Sequence, residues 1–185
     1  SEVEKLKKRL RDLLEELKRL SRRTKEDVRR VIKETRDRSK KTKEELEKLL
    51  REIRELRKRG LREKELKEVL DDARRKIEEL ARRSEELNRR DEDKLRKLAK
   101  ESEELLRRAE ERLRRLKKEV EEKVKGEDLR TEIKKILEEV KREIDRVRET
   151  DEKVLRDWKK ANDEVRETDR EVLRKIREDL KEVAR

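Results

Sequence analysis

The sequence predicts an all-α fold: a long antiparallel three-helix bundle running up, down and up, nearly straight, with a weak left-handed coil. Three observations predict it. Apolar residues recur every three or four positions along the chain, two glycines divide it into near-equal thirds, and 64% of the 185 residues are charged. Proline is absent. With so little turn material the elements must be few and long. A chain this charged is open to disorder, because it has little apolar surface to set against ordering entropy. A random charged coil, however, would not keep one apolar phase through each third.

The first helix, expected over about residues 2–59, carries a seam from Val3, Leu6, Leu10, Leu13 and Leu17 to Leu46, Leu49, Ile53 and Leu56. Its steps average about 3.5 residues, between a strict heptad and a straight helix, so supercoiling should be weak. The second helix, about 62–125, continues from Leu66 through Leu80, Leu95, Leu105 and Leu113 to Val120. The third, about 128–184, runs from Leu129 through Ile144, Trp158 and Val165 to Val183. Off-seam positions are nearly all charged. Gly60 and Gly126 fall where a helix C-terminus needs a left-handed residue. Lys58, Arg59, Lys123 and Lys125 precede them, as the negative end of a helix dipole favours. Asp128 or Thr131 is expected to cap the third helix, while the second has no good cap and starts somewhere in 61–64. A helix of about 58 residues is about 87 Å long. Connections this short permit only antiparallel neighbours, and the expectation is one elongated domain, 1–185, with a continuous core.

Polar residues interrupt the seam at a spacing of 18. Ser21, Thr24, Lys25 and Glu26 return as Ser39, Thr42, Lys43 and Glu44. Ala81, Ser84, Glu85, Glu86 and Leu87 return as Ala99, Ser102, Glu103, Glu104 and Leu105. Arg148, Glu149, Thr150 and Asp151 return as Arg166, Glu167, Thr168 and Asp169. Eighteen residues make five helical turns, so each copy points the way its partner does. Folding the chain back at the glycines sets Ser21 and Asp151 opposite Ser102, and Ser39 and Asp169 opposite Ser84. One expected layer is therefore Ser21, Thr24, Ser102, Thr150 and Asp151. A second is Ser39, Thr42, Ser84, Thr168 and Asp169. Between them a third pairs Thr35 with Asn88 and Asp91 with Asn162. Hydroxyls can donate to ionised Asp, which only accepts. An unsatisfied buried polar group costs about 1–3 kcal/mol, so such layers would penalise sliding one helix past another. The alternative for each Ser or Thr is a bond to its own i−4 carbonyl.

No catalytic or cofactor chemistry is legible. Cys and His are absent, which removes thiolate and imidazole ligands and the usual acid–base and nucleophilic dyads. Carboxylate pairs such as Asp71-Asp72 and Glu121-Glu122 have basic residues three or four positions away, the ordinary surface ion-pair spacing. There is no phosphate-cradling loop, dinucleotide fingerprint or nucleophile elbow. No apolar run approaches the roughly 18 residues of a membrane span, and the narrow apolar stripe leaves nothing for a membrane surface. Trp158 falls on the seam as core filler.

Net charge is +12 and uneven. Residues 1–60 hold 24 basic and 14 acidic side chains, 61–126 hold 23 and 20, and 127–185 hold 18 and 19. A basic first helix allows weak, nonspecific attraction to polyanions. Interleaved acids and the lack of stacking aromatics argue against sequence-specific nucleic-acid binding.

A thirteen-letter alphabet, single-glycine connections, near-ideal patterning and matched polar layers resemble de novo designed helical bundles with built-in hydrogen-bond networks. The resemblance covers the whole chain in style. It implies a structural scaffold, thermostable and soluble, suited to recombinant cytoplasmic expression, with no natural activity, no catalytic residue, no cofactor, no metal and no required partner. A monomer is expected, the same seams closing between chains being the other arrangement. The alternative function is a basic binding module that uses the first helix against nucleic acid or an acidic protein. Natural spectrin-like rods are the other structural parallel, though they carry more aromatics and irregular loops.

Overall fold

The computed structural model describes every residue from Ser1 to Arg185 and contains three α-helices and no strand: α1, Glu2–Lys58; α2, Glu63–Lys123; and α3, Glu127–Ala184. Acidic residues open each helix and basic residues close it, so both ends complement the helix dipole. Ser1 Oγ accepts the Glu4 N–H at 3.3 Å and caps α1. At the two connections Gly60 has φ +77° and Gly126 φ +110°. The space beside each is open, so the left-handed backbone and not crowding selects glycine there.

The free carbonyls at the helix ends are met by arginines. Arg130 Nε, in α3, donates to the Val124 carbonyl at 2.7 Å, just past α2. Arg57 Nη1, in the last turn of α1, donates to the Glu182 carbonyl at 3.1 Å near the end of α3. The expected cap of α3 is corrected: neither Asp128 nor Thr131 caps it. Helix α3 already begins at Glu127 with the Arg130 N–H on the Gly126 carbonyl. Asp128 therefore sits inside the first turn, and Thr131 Oγ1 donates back to the Glu127 carbonyl at 2.8 Å.

Each helix contributes a segment to each of two compact units. Unit 1 holds Ser1–Arg29 and Lys94–Asp157, and unit 2 holds Arg30–Asp93 and Trp158–Arg185. Unit 1 has an apolar cluster built around Leu10, Leu13, Leu106, Ile133, Val140 and Val147. Unit 2 has its own, built around Leu46, Ile53, Leu70, Ile77, Ile176 and Leu180. Burying one such side chain stabilises by about 1.5–3 kcal/mol.

The seam shifts locally from the sequence pattern. Leu105 is 44% exposed while Leu106 is 1%, and Leu129 is 39% exposed. Leu50, Leu137 and Ala161 are buried off the expected row. A helix in a three-helix bundle faces two partners and buries a face wider than a single row. Where two leucines are adjacent, spacing alone does not choose between them. Lys7 is also buried, its ammonium 3.0 Å from Glu132 and 3.7 Å from Glu4.

Candidate functional site

The polar residues of the seam bring the three helices' interior chemistry together, and each unit holds one copy of the repeated set. In unit 2, Asp169 of α3 reaches two helices at once. Its Oδ1 accepts from Ser39 of α1 at 2.5 Å, and its Oδ2 accepts from Ser84 of α2 at 3.3 Å. Thr42, one turn beyond Ser39, instead donates to its own i−4 carbonyl at Arg38, at 3.0 Å.

In unit 1, the copy is incomplete. Ser102, which is buried, donates to Asp151 Oδ2. Asp151 Oδ1 is buried with no hydrogen-bond partner. Ser21, Thr24 and Thr150 are half-buried and their side chains make no hydrogen bond. Burial pushes the Asp151 carboxyl above its ordinary value; the Ser102 bond opposes the shift, and the nearby Glu103 charge adds to it.

Unit 2 also contains the third group. Thr35 Oγ1 lies 2.8 Å from the Val31 carbonyl and 3.1 Å from Asp91 Oδ2. Arg38 Nη2 donates to Asn88 Oδ1 at 2.8 Å and to Asp91 Oδ2 at 2.6 Å. Asn162 Nδ2 donates to Glu92 Oε1 at 3.3 Å, while its Oδ1 is buried without a partner.

Three expectations are corrected by this arrangement. Thr168 is exposed and not part of a buried layer; it lies about 100° around α3 from Asp169 and so points to solvent. Thr35 meets Asp91, not Asn88, a shift of three residues along α2. Asn162 bonds Glu92, not Asp91.

Sequence reasoning missed the charged braces beside each copy. Arg166 Nη2 lies 2.5 Å from Glu92 and 3.8 Å from Glu85. In unit 1, Arg148 pairs with Glu110 and lies 3.9 Å from Glu103. All three positions of this brace recur at the spacing of the polar set: Arg148 and Arg166, Glu103 and Glu85, Glu110 and Glu92. The signal was present, but on a surface full of charge it had nothing to distinguish it. Arg38 was hidden for the same reason.

These groups hold hydrogen bonds and ion pairs and offer no reactive set. No cluster of three or more Asp, Glu, His or Cys is placed to hold a metal ion. A surface groove of about 520 Å³ in unit 2 has Leu50, Val172 and Ile176 at its floor and both charge signs at its rim. No helix is long and apolar enough to cross a membrane.

No protein-family model matches the sequence, and no curated protein matches it significantly. Among solved structures it is similar to a computationally designed three-helix bundle, with 22% sequence identity and a TM-score of 0.64, across 99% of this chain and 95% of that one. The likeness establishes the fold, a three-helix bundle.

Proposed function

We propose that the chain is a designed structural scaffold, a thermostable monomer without enzymatic activity that folds as one domain over residues 1–185. Its polar layers specify the register of the helices. The observation that carries this reading is the recurrence, at one 18-residue spacing on α2 and α3, of a whole interacting set: serine to aspartate and arginine to two glutamates. Repetition of helix surface in phase with five turns is what a regular backbone permits. Further support comes from the thirteen-letter alphabet and from the similar designed bundle. Polar layers of this kind contribute more to a unique arrangement than to raw stability, because any slip sets hydroxyls and carboxylates against leucine.

Two measurements test it. Light scattering should give a mass near 22.9 kDa, and a dimer mass contradicts the monomer. Spin labels at Lys48 and Lys76, which line one groove between α1 and α2, should report a single distance. In the triple variant Ser39→Ala, Ser84→Ala, Asp169→Ala a second distance population should appear. An unchanged single distance would remove the register role.

A further inference from the structure

We infer that one face of α1 is a docking surface for the phosphate backbone of nucleic acid, read without regard to sequence. The reading is independent of the scaffold proposal. In unit 1, Lys18, Arg22, Lys25 and Arg29 follow one another at steps of four, three and four along α1. In unit 2, Lys33, Arg36, Lys40 and Lys43 do the same at steps of three, four and three. At about 100° per residue each set forms one row on one side of the helix, with neighbours about 5–6 Å apart. Part of the pattern follows the polar repeat: Lys18, Arg22 and Lys25 correspond to Arg36, Lys40 and Lys43.

Some surface arginines are braced to glutamate, as in Arg9–Glu119, Arg112–Glu16, Arg148–Glu103 and Arg177–Glu78; the cations of the rows are not. None of the eight row residues makes an ion pair, and all are exposed except the half-buried Lys25. Of the acids of the segment, Asp27 and Glu34 project from the far side of the helix, while Glu26 and Asp37 flank the rows about one turn from Arg22 and Lys33 without pairing to them. Lys43 shares a groove with Glu171 without pairing to it.

The chemistry of the rows selects the partner. They hold no apolar side chain to enter a lipid surface, as a membrane-lying helix requires. They hold no aromatic to stack on a base. What remains is a line of long, mobile cations, which suits a regular line of phosphates, one every 3.4 Å or so along each strand. Such contacts position a duplex and carry no sequence information.

The test is a salt titration of the full chain with a fluorescent DNA duplex of about 30 base pairs, between about 50 and 200 mM salt. Affinity should fall by about a thousandfold or more over that range, equally for unrelated duplex sequences. The variants K18Q/R22Q/K25Q/R29Q and K33Q/R36Q/K40Q/K43Q should each lower the log–log salt slope by roughly 2–4. The control K5Q/R19Q/K41Q/K48Q removes equal charge from another side of α1 and should change the slope by less than about 1. Far-UV circular dichroism confirms that each variant keeps its helix content. Absence of duplex binding at the lowest salt, or equal effects of row and control variants, overturns the inference. So does binding to polyglutamate or to phosphatidylserine-rich vesicles as tight as to the duplex.

Discussion

The same three residues occur twice, Ser39, Ser84 and Asp169 in unit 2 and Ser21, Ser102 and Asp151 in unit 1, yet they do different work. Asp169 accepts a hydroxyl proton with each oxygen, whereas Asp151 accepts one and buries the other oxygen bare. Their surroundings differ in a way the sequence records. Moving by the repeat length from Thr35, Arg38, Asn88, Asp91 and Asn162 leads to Leu17, Leu20, Leu106, Ala109 and Ile144. The first five form the polar group of unit 2; of the second five, all but the half-buried Leu20 are buried in unit 1. Unit 2 thus sets its copy beside more polar groups and unit 1 sets its copy in an apolar core. That contrast fits the upward push on the Asp151 carboxyl, where burial is the leading cause. An identical motif is only as satisfied as the layer it is placed in.

The largest expected effect breaks the polar side of this contrast. Arg38→Ala removes the ion pair to Asp91 and the bond to Asn88, and should cost about 2–3 kcal/mol in urea denaturation. Leu20→Ala, the equivalent position in unit 1, removes only half-buried apolar surface and should cost about 1 kcal/mol. Equal losses would mean that Arg38 acts through packing alone. The two α1 serines sharpen the comparison further. Ser39→Ala should cost about 1 kcal/mol, and Ser21→Ala should stay within about 0.5 kcal/mol of the parent.

The smallest effect depends on pH. A carboxyl whose folded pKa is raised binds its proton more tightly folded than unfolded. Its ionisation therefore opposes folding. Relative to Asp151→Asn, the parent should be at its most favourable below about pH 4 and lose ground as pH rises through the folded pKa. A gap between the two proteins that stays constant from pH 3 to pH 7 would show that Asp151 ionises as freely folded as unfolded.

Helix number, the places where helices end and the facing of Ser84 and Ser102 toward Asp169 and Asp151 were legible, because two glycines and an apolar seam define them. The partner of Thr35 was not: it meets Asp91, three residues along α2 from Asn88. Helical side chains lean toward their own N-terminus. In an antiparallel pair the residues that touch therefore lie farther along both chains than the backbone mirror suggests. The choice of Leu106 over Leu105, the outward turn of Thr168 and the arginine braces were also beyond the pattern. Each depends on which of two neighbouring residues, or which of many charges, faces a second helix.

The most direct test of the inequality between the two copies is a pair of isosteric substitutions compared by urea denaturation at pH 7. Asparagine keeps one acceptor oxygen and replaces the other with a donor. Asp169→Asn leaves one of its two serines without an acceptor and should cost about 1–2 kcal/mol. Asp151→Asn keeps the Ser102 bond and removes a buried charge, and should be neutral or stabilising. Equal destabilisation of the two variants, or a greater loss for Asp151→Asn, would contradict the account.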